Sequence, residues 1–232
     1  MSTATTTPTR ADARTSIPSR RWAHAGILAG AAGVAAIVAS LGVSAVYDEK
    51  TAGNAEKIVE SLKDSTPNLL VFHTLTMIAT VTLLVFAAGL RRRLAGQVQA
   101  GSILPDVAAF GLLLASVAGL MGSALDTEFI FGVNASSDQP QLVPETAAMF
   151  GHWVGTVPWL WVGAGLTGVA VAVAALKQAA APRWIGWVSA VLGGLTLLVG
   201  MSPLQYMAGF TGPLLVLVIS LGFAFGDRDE LS

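Results

Sequence analysis

The chain has 232 residues, of which 53% are hydrophobic and 12% charged, roughly half the charged share of a soluble domain. So few charged side chains cannot cover a water-soluble fold of this length, whereas lipid removes that requirement. The net charge of -1 argues against a nucleic-acid partner, which calls for a clustered basic face. The absence of Cys excludes disulfides, thiolate metal sites, Cys-attached haem and thiol nucleophiles.

In chain order, residues 1–21 are Thr, Ser, Ala, Pro and Arg with little apolar bulk, and are expected to form a disordered cytoplasmic tail. The apolar run from Trp22 to Val46 is too long for the core of a signal peptide and reads as an anchor. Apolar stretches long enough to cross a bilayer are expected at about 23–46, 68–90, 104–125, 147–176, 184–202 and 205–226. Residues 22–226 are therefore expected to be an all-α polytopic transmembrane helix bundle of about six spans, with 227–232 a cytoplasmic tail. The expected location is the cell membrane.

The loops add detail. Glu56 to Lys63 suits a short amphipathic helix on the outer surface. Pro144 followed by Glu145 reads as a helix start, with proline at the first position and an acid on the positive dipole end. Pro158 falls inside the long fourth stretch and predicts a kink or a strong tilt. The last two stretches meet at Ser202-Pro203-Leu204-Gln205, a tight turn, and Pro203 and Pro213 speak against one fused helix.

Charge sets the orientation. Ten of the thirteen Lys and Arg residues fall on one side if there are six spans: Arg10, Arg14, Arg20, Arg21, Arg91, Arg92, Arg93, Lys177, Arg183 and Arg228. Lys50, Lys57 and Lys63 fall on the other among five acids, and residues 126–146 hold no Lys or Arg. This bias predicts both termini in the cytoplasm.

Gly163-Ala-Gly165-Leu-Thr-Gly168 matches a dinucleotide fingerprint as a string, but no strand precedes it, so close helix packing is the expected role. Gly111, Ala115 and Gly119, and Gly151 and Gly155, carry the same small-residue spacing. Asn134-Ala-Ser136 matches a glycosylation acceptor on the expected outer loop. Thr74, Thr76, Thr80 and Thr82 either line a polar path along the second span or bond back to their own helix. Trp184 and Trp187 fit an interfacial belt beside Arg183, while Trp159 and Trp161 fit packing.

Ionisable residues within spans are few. His73 lies inside the second span, His152 near the outer end of the fourth, and Asp126 and Glu128 close the third on that same side. In the plainer reading these are interfacial groups wetted by headgroup water. In a sharper one, His73 and His152 with Asp126 or Glu128 form a metal or proton site. A third pairs His73 and His152 on a haem.

The motifs Pro182-Arg-Trp-Ile-Gly-Trp187 and Pro158-Trp-Leu-Trp161, with His73 upstream of Ala-Ala-Gly-Leu-Arg-Arg-Arg-Leu, make residues 22–226 resemble six-helix membrane proteins of high-GC bacteria. Those families are of unknown function. The resemblance implies fold and location, and no catalytic residue or cofactor.

With no nucleophile–base pair and no phosphate loop, the expected function is a non-enzymatic membrane bundle that binds lipid, a small apolar molecule, a membrane partner protein or a second copy of itself. A small transporter component, or a metal or haem protein using the outer His and acid residues, is the alternative. No cofactor is called for.

Overall fold

The computed structural model describes residues 20–43, 45–136, 142–154, 156 and 159–226. The expected tails, apart from Arg20 and Arg21, which lead into the first helix, lie outside those residues, as do the kink at Pro158 and the packing role of Gly155. Among the described residues the chain is entirely helical: α1 (Arg21–Leu41), α2 (Ala55–Asp64), α3 (Thr66–Ala95), α4 (Leu104–Val133), α5 (Pro144–Val154), α6 (Val162–Gln178), α7 (Arg183–Gly200) and α8 (Ala208–Leu221). A short 3₁₀ turn, Gln205–Met207, leads into α8, and a π turn, Gly222–Gly226, continues it.

Five segments are long and apolar enough to cross a membrane: Arg21–Leu41, Thr66–Ala95, Leu104–Val133, Arg183–Gly200 and Gln205–Gly226. Much of their surface faces outward and stays apolar, with Val38, Val85, Leu114, Val191 and Leu198 each at least half exposed. An apolar surface of this extent suits hydrocarbon. The chain is thus an apolar helical bundle of the multi-pass membrane type.

The fourth expected span differs. Residues 147–176 do not make one helix: α5 ends at Val154 and α6 starts at Val162. The last two spans are separate, as the turn at Pro203 predicts. Pro213, by contrast, sits inside α8 without interrupting it.

Packed neighbours form a closed ring, α1–α3–α4–α6–α8, antiparallel except for the parallel pair α6 and α8, with α7 set outside between α6 and α8. Small residues make the close contacts. A Cβ at Gly163 would collide with Gly111 O on α4, one at Gly165 with Leu197 N on α7, and one at Gly168 would come within 2.7 Å of Gly193 Cα. The glycine string on α6 is therefore a two-sided packing surface, which is how helices associate where lipid removes the hydrophobic drive.

Arg21 begins α1 at the same end as the α3–α4 and α6–α7 loops. Arg20 Nη1 donates to Ala224 O at 3.0 Å, and Gln99 N donates to Gln178 Oε1 at 2.9 Å across those loops. Trp22 stacks on Phe86 with centroids 5.7 Å apart, and Trp184 and Trp187 are exposed nearby. We call this the basic end. At the far end, α2 starts at Asn54, whose side chain accepts from Lys57 N at 2.9 Å, an N-cap that satisfies an otherwise unpaired donor. Its apolar face inserts Ile58 and Leu62 between α3, α4 and α5.

On α1, α3 and α4 the apolar core divides in two. Toward the basic end lie Ala23, Ala29, Leu83, Phe86, Ala108 and Leu112. Toward the far end lie Ala36, Leu69, Phe72, Ile130 and Val133, covered by Leu62 and Phe150. Between the two clusters these helices present small and polar side chains: Gly33 on α1, Thr76 and Thr80 on α3, and Ser116, Gly119, Gly122, Ser123 and Asp126 on α4.

Candidate functional site

Asp126 occupies that polar layer. Gly119, Gly122, Ser123, Asp126 and Ile130 recur at intervals of three and four residues, so they share one face of α4. The sequence placed Asp126 at the end of a span, yet α4 continues about two turns beyond it to Val133. Phe129, Ile130 and Phe131 extend the apolar surface past the acid, and Phe129 stacks on Phe150 of α5 with centroids 4.3 Å apart. Asp126 is thus held inside the bundle, 0% exposed, and neither carboxyl oxygen has a hydrogen-bond partner. Ser123, one turn nearer the basic end, is equally buried and its Oγ is equally unpartnered. A buried carboxyl without a partner costs free energy, which makes Asp126 the candidate functional residue of the bundle.

The neighbours of α4 locate this face. Thr167 Oγ1 of α6 donates to Ala108 O at 2.7 Å, and Gly163 meets Gly111 and Ala115. Further along, Phe150 of α5 meets Phe129. The stretch of α4 carrying Gly119 to Asp126 therefore lies at the level of the break between α5 and α6. Ring-shaped side chains frame that break. Trp159 Nε1 donates to Ser40 Oγ at 3.1 Å, Trp159 meets Phe210 edge-on, and Trp161 packs against Gly212 and Gly33.

Beside the same layer is a cavity of about 20 Å³ lined by Gly33, Ala36, Thr76, Thr80, Gly119 and Trp161, among others. By volume it holds about one water. Thr76 Oγ1 donates back to Phe72 O at 2.8 Å, and Ser116 Oγ donates across to Thr80 O at 2.8 Å. The four threonines of α3 accordingly divide. Thr76 and Thr80 are buried at the cavity, whereas Thr74 and Thr82 border an outward groove and donate to Leu70 O and Ile78 O. Thr74, Thr76 and Thr82 thus bond back to their own helix, and Thr76 and Thr80 also border the cavity.

The other candidate residues lie in different surroundings. His73 is half-buried on α3 at a groove shared with Thr127 and Ile130, with Nδ1 buried and unpartnered. His152 is exposed on α5, its ring edge-on to Tyr47 at 5.7 Å. Glu128 is exposed. Among the described residues no three His, Asp or Glu side chains come together at metal-binding range. Asn134, the glycosylation candidate, has its amide engaged: Nδ2 donates to Thr66 Oγ1 at 2.9 Å and to Ile130 O at 2.8 Å.

Ser123 did not stand out in the sequence. The signal was its place one turn from Asp126 on a glycine-bearing face, which a count of charged residues does not register.

Fold and site together define an all-helical, apolar, multi-pass membrane bundle with a carboxyl buried between two apolar cores. No family model matches the chain, and neither does any curated protein or solved structure.

Proposed function

We propose that this protein is a small membrane carrier that takes up a cation at Asp126 and releases it on the other side. The observation that supports this reading is the fully buried, unpartnered carboxyl of Asp126 at the level of a discontinuous helix. Interrupted helices beside intramembrane acids are where carriers place their ion sites, because non-helical backbone at depth is tolerated only where it borders a cavity or protein. The cavity of about 20 Å³ in the same layer accommodates a water or a small ion, in keeping with a cation as cargo.

Closure at both ends favours a carrier over a pore. Ile58, Leu62, Phe72 and Phe150 cover the polar layer on one side, and Leu83, Phe86 and Leu112 on the other. This is the arrangement of an occluded state, from which alternate opening of the two cores exposes one site to each side in turn. In this reading α5 and α6 together supply one crossing, which makes six, and the arginine-rich basic end faces the cytoplasm.

Purified protein in phosphatidylcholine–phosphatidylglycerol vesicles tests the proposal with separate gradients of H⁺, Na⁺ and K⁺. Movement of one of these above empty vesicles, lost in Asp126→Asn, is the expected result. No movement of any of the three overturns the carrier reading.

A further inference from the structure

We infer that the cation is a proton, and that it travels between Asp126 and a water in the Thr76–Thr80 cavity through the Ser123 hydroxyl. This rests on the carrier reading above and names its cargo and route.

The donor inventory argues for a proton. The buried, unpartnered oxygens described on this face of α4 are the two carboxyl oxygens of Asp126 and Ser123 Oγ. A proton needs only one of these oxygens, and a carboxyl beside a hydroxyl that can both donate and accept is the donor set a proton relay uses. The spacing argues for the route. Gly119, which lines the cavity, Ser123 and Asp126 follow one another at helical-turn intervals, about 5–6 Å between successive positions. Steps of that size can be closed by hydroxyl rotation or one bridging water. A Cβ at Gly119 would stand 2.5 Å from Thr80 Oγ1, so the absence of a side chain there is what leaves the Thr80 hydroxyl beside the path. The two apolar cores flank this layer on either side, and Ala36 of one and Trp161 of the other border the cavity, which keeps the relay internal to the bundle.

The step balances without a redox partner. A proton adds to one oxygen of the Asp126 carboxylate, forming an O–H bond. That bond breaks as the proton passes to Ser123 Oγ, while the serine's own proton moves on to the cavity water and one of that water's protons leaves toward whichever face of the membrane is open, so that the water, like the serine, ends with the protons it began with. Ser123 ends with one proton, as it began. Ser123 and Thr80 are positioning groups for the relay, and Asp126 is the group that binds the cargo.

The test uses the full chain in the same vesicles, with an entrapped pH dye and a valinomycin–K⁺ potential, inside negative. Proton entry is expected above empty vesicles, reduced at least tenfold by Asp126→Asn and several-fold by Ser123→Ala and Thr80→Val. Thr74→Val and Thr82→Val, on the outward face of α3, are expected to match the parent protein. Each variant is first checked for a single symmetric peak by gel filtration in detergent, and only those that pass are scored. Proton entry that needs Asp126 but is indifferent to Ser123→Ala and Thr80→Val overturns the route. A matching arm without valinomycin uses entrapped Na⁺ and K⁺ dyes. Asp126-dependent movement of Na⁺ or K⁺ without protons overturns the inference and leaves the carrier reading standing. No cation movement overturns both.

Discussion

Trp159 Nε1 donates to Ser40 Oγ at 3.1 Å, and so ties the chain just ahead of α6 to the last turn of α1. Ser40 Oγ in turn donates to Ile37 O at 2.7 Å, which leaves its lone pairs for the indole. Both partners are buried, at 6% exposure each, so water cannot substitute for either.

Trp159→Phe keeps the ring contact with Phe210 and removes this one hydrogen bond. Polar contacts between membrane helices contribute about 0.6 kcal/mol on average and at most about 1.7. A small drop in the thermal midpoint in detergent is expected, and Trp159→Ala should lower it much further by also emptying an aromatic site. Equal midpoints for Trp159→Phe and the parent would remove the bond from the account.

The glycine contacts on α6 make a sharper prediction. Gly163→Ala and Gly168→Ala press a methyl into backbone on α4 and α7, and overpacking of this kind costs about 1–3 kcal/mol. Gly194 on α7 has nothing within 4 Å of the position its Cβ would take. Gly194→Ala should be neutral or stabilising by up to about 1 kcal/mol, since alanine loses less freedom in a helix. Thermal midpoints of the three variants, measured side by side in one detergent, check the order.

Replacing Asp126 separates stability from activity. Asp126→Leu removes a buried, unpartnered polar group, which should raise stability by about 1–3 kcal/mol while abolishing cation movement. A variant that is both less stable and less active would instead point to a structural role for the acid.

Topology can be read directly, because the chain contains no Cys and single cysteines label without background. Ala100→Cys lies on the exposed α3–α4 loop at the basic end, and Lys50→Cys on the exposed chain between α1 and α2. In intact cells an impermeant maleimide should modify Lys50→Cys and spare Ala100→Cys until the membrane is opened. Labelling of both in intact cells would refute the proposed orientation.

Much of the bundle was legible from composition. Five of the six span-length apolar runs, the amphipathic α2, the start of α5 at Pro144 and the packing role of Gly163, Gly165 and Gly168 all follow from local rules, and the structure has each of them. Two features were not legible, for one physical reason. Apolar counts measure which side chains prefer lipid, whereas helix boundaries are set by backbone hydrogen bonds and tertiary contacts. The count therefore stopped α4 at an acid that the helix passes straight through, supported by Phe129 against Phe150. It also ran on past Val154, where α5 ends, to Trp159 and Trp161, which take their partners from α1 and α8 instead. The buried acid and the break are each invisible alone, and their shared level depends on the register between α4 and α6.

The interruption between Val154 and Val162 has a mechanical consequence. A continuous rod would transmit any tilt at one face of the bilayer to the opposite face. Here α6 is locked to α4 and α7 by glycine-to-backbone contact, while α5 packs on α2 and, through Phe150, on Phe129 of α4. A tilt of one piece therefore reaches the other through their shared neighbour α4 and not along a single helix axis.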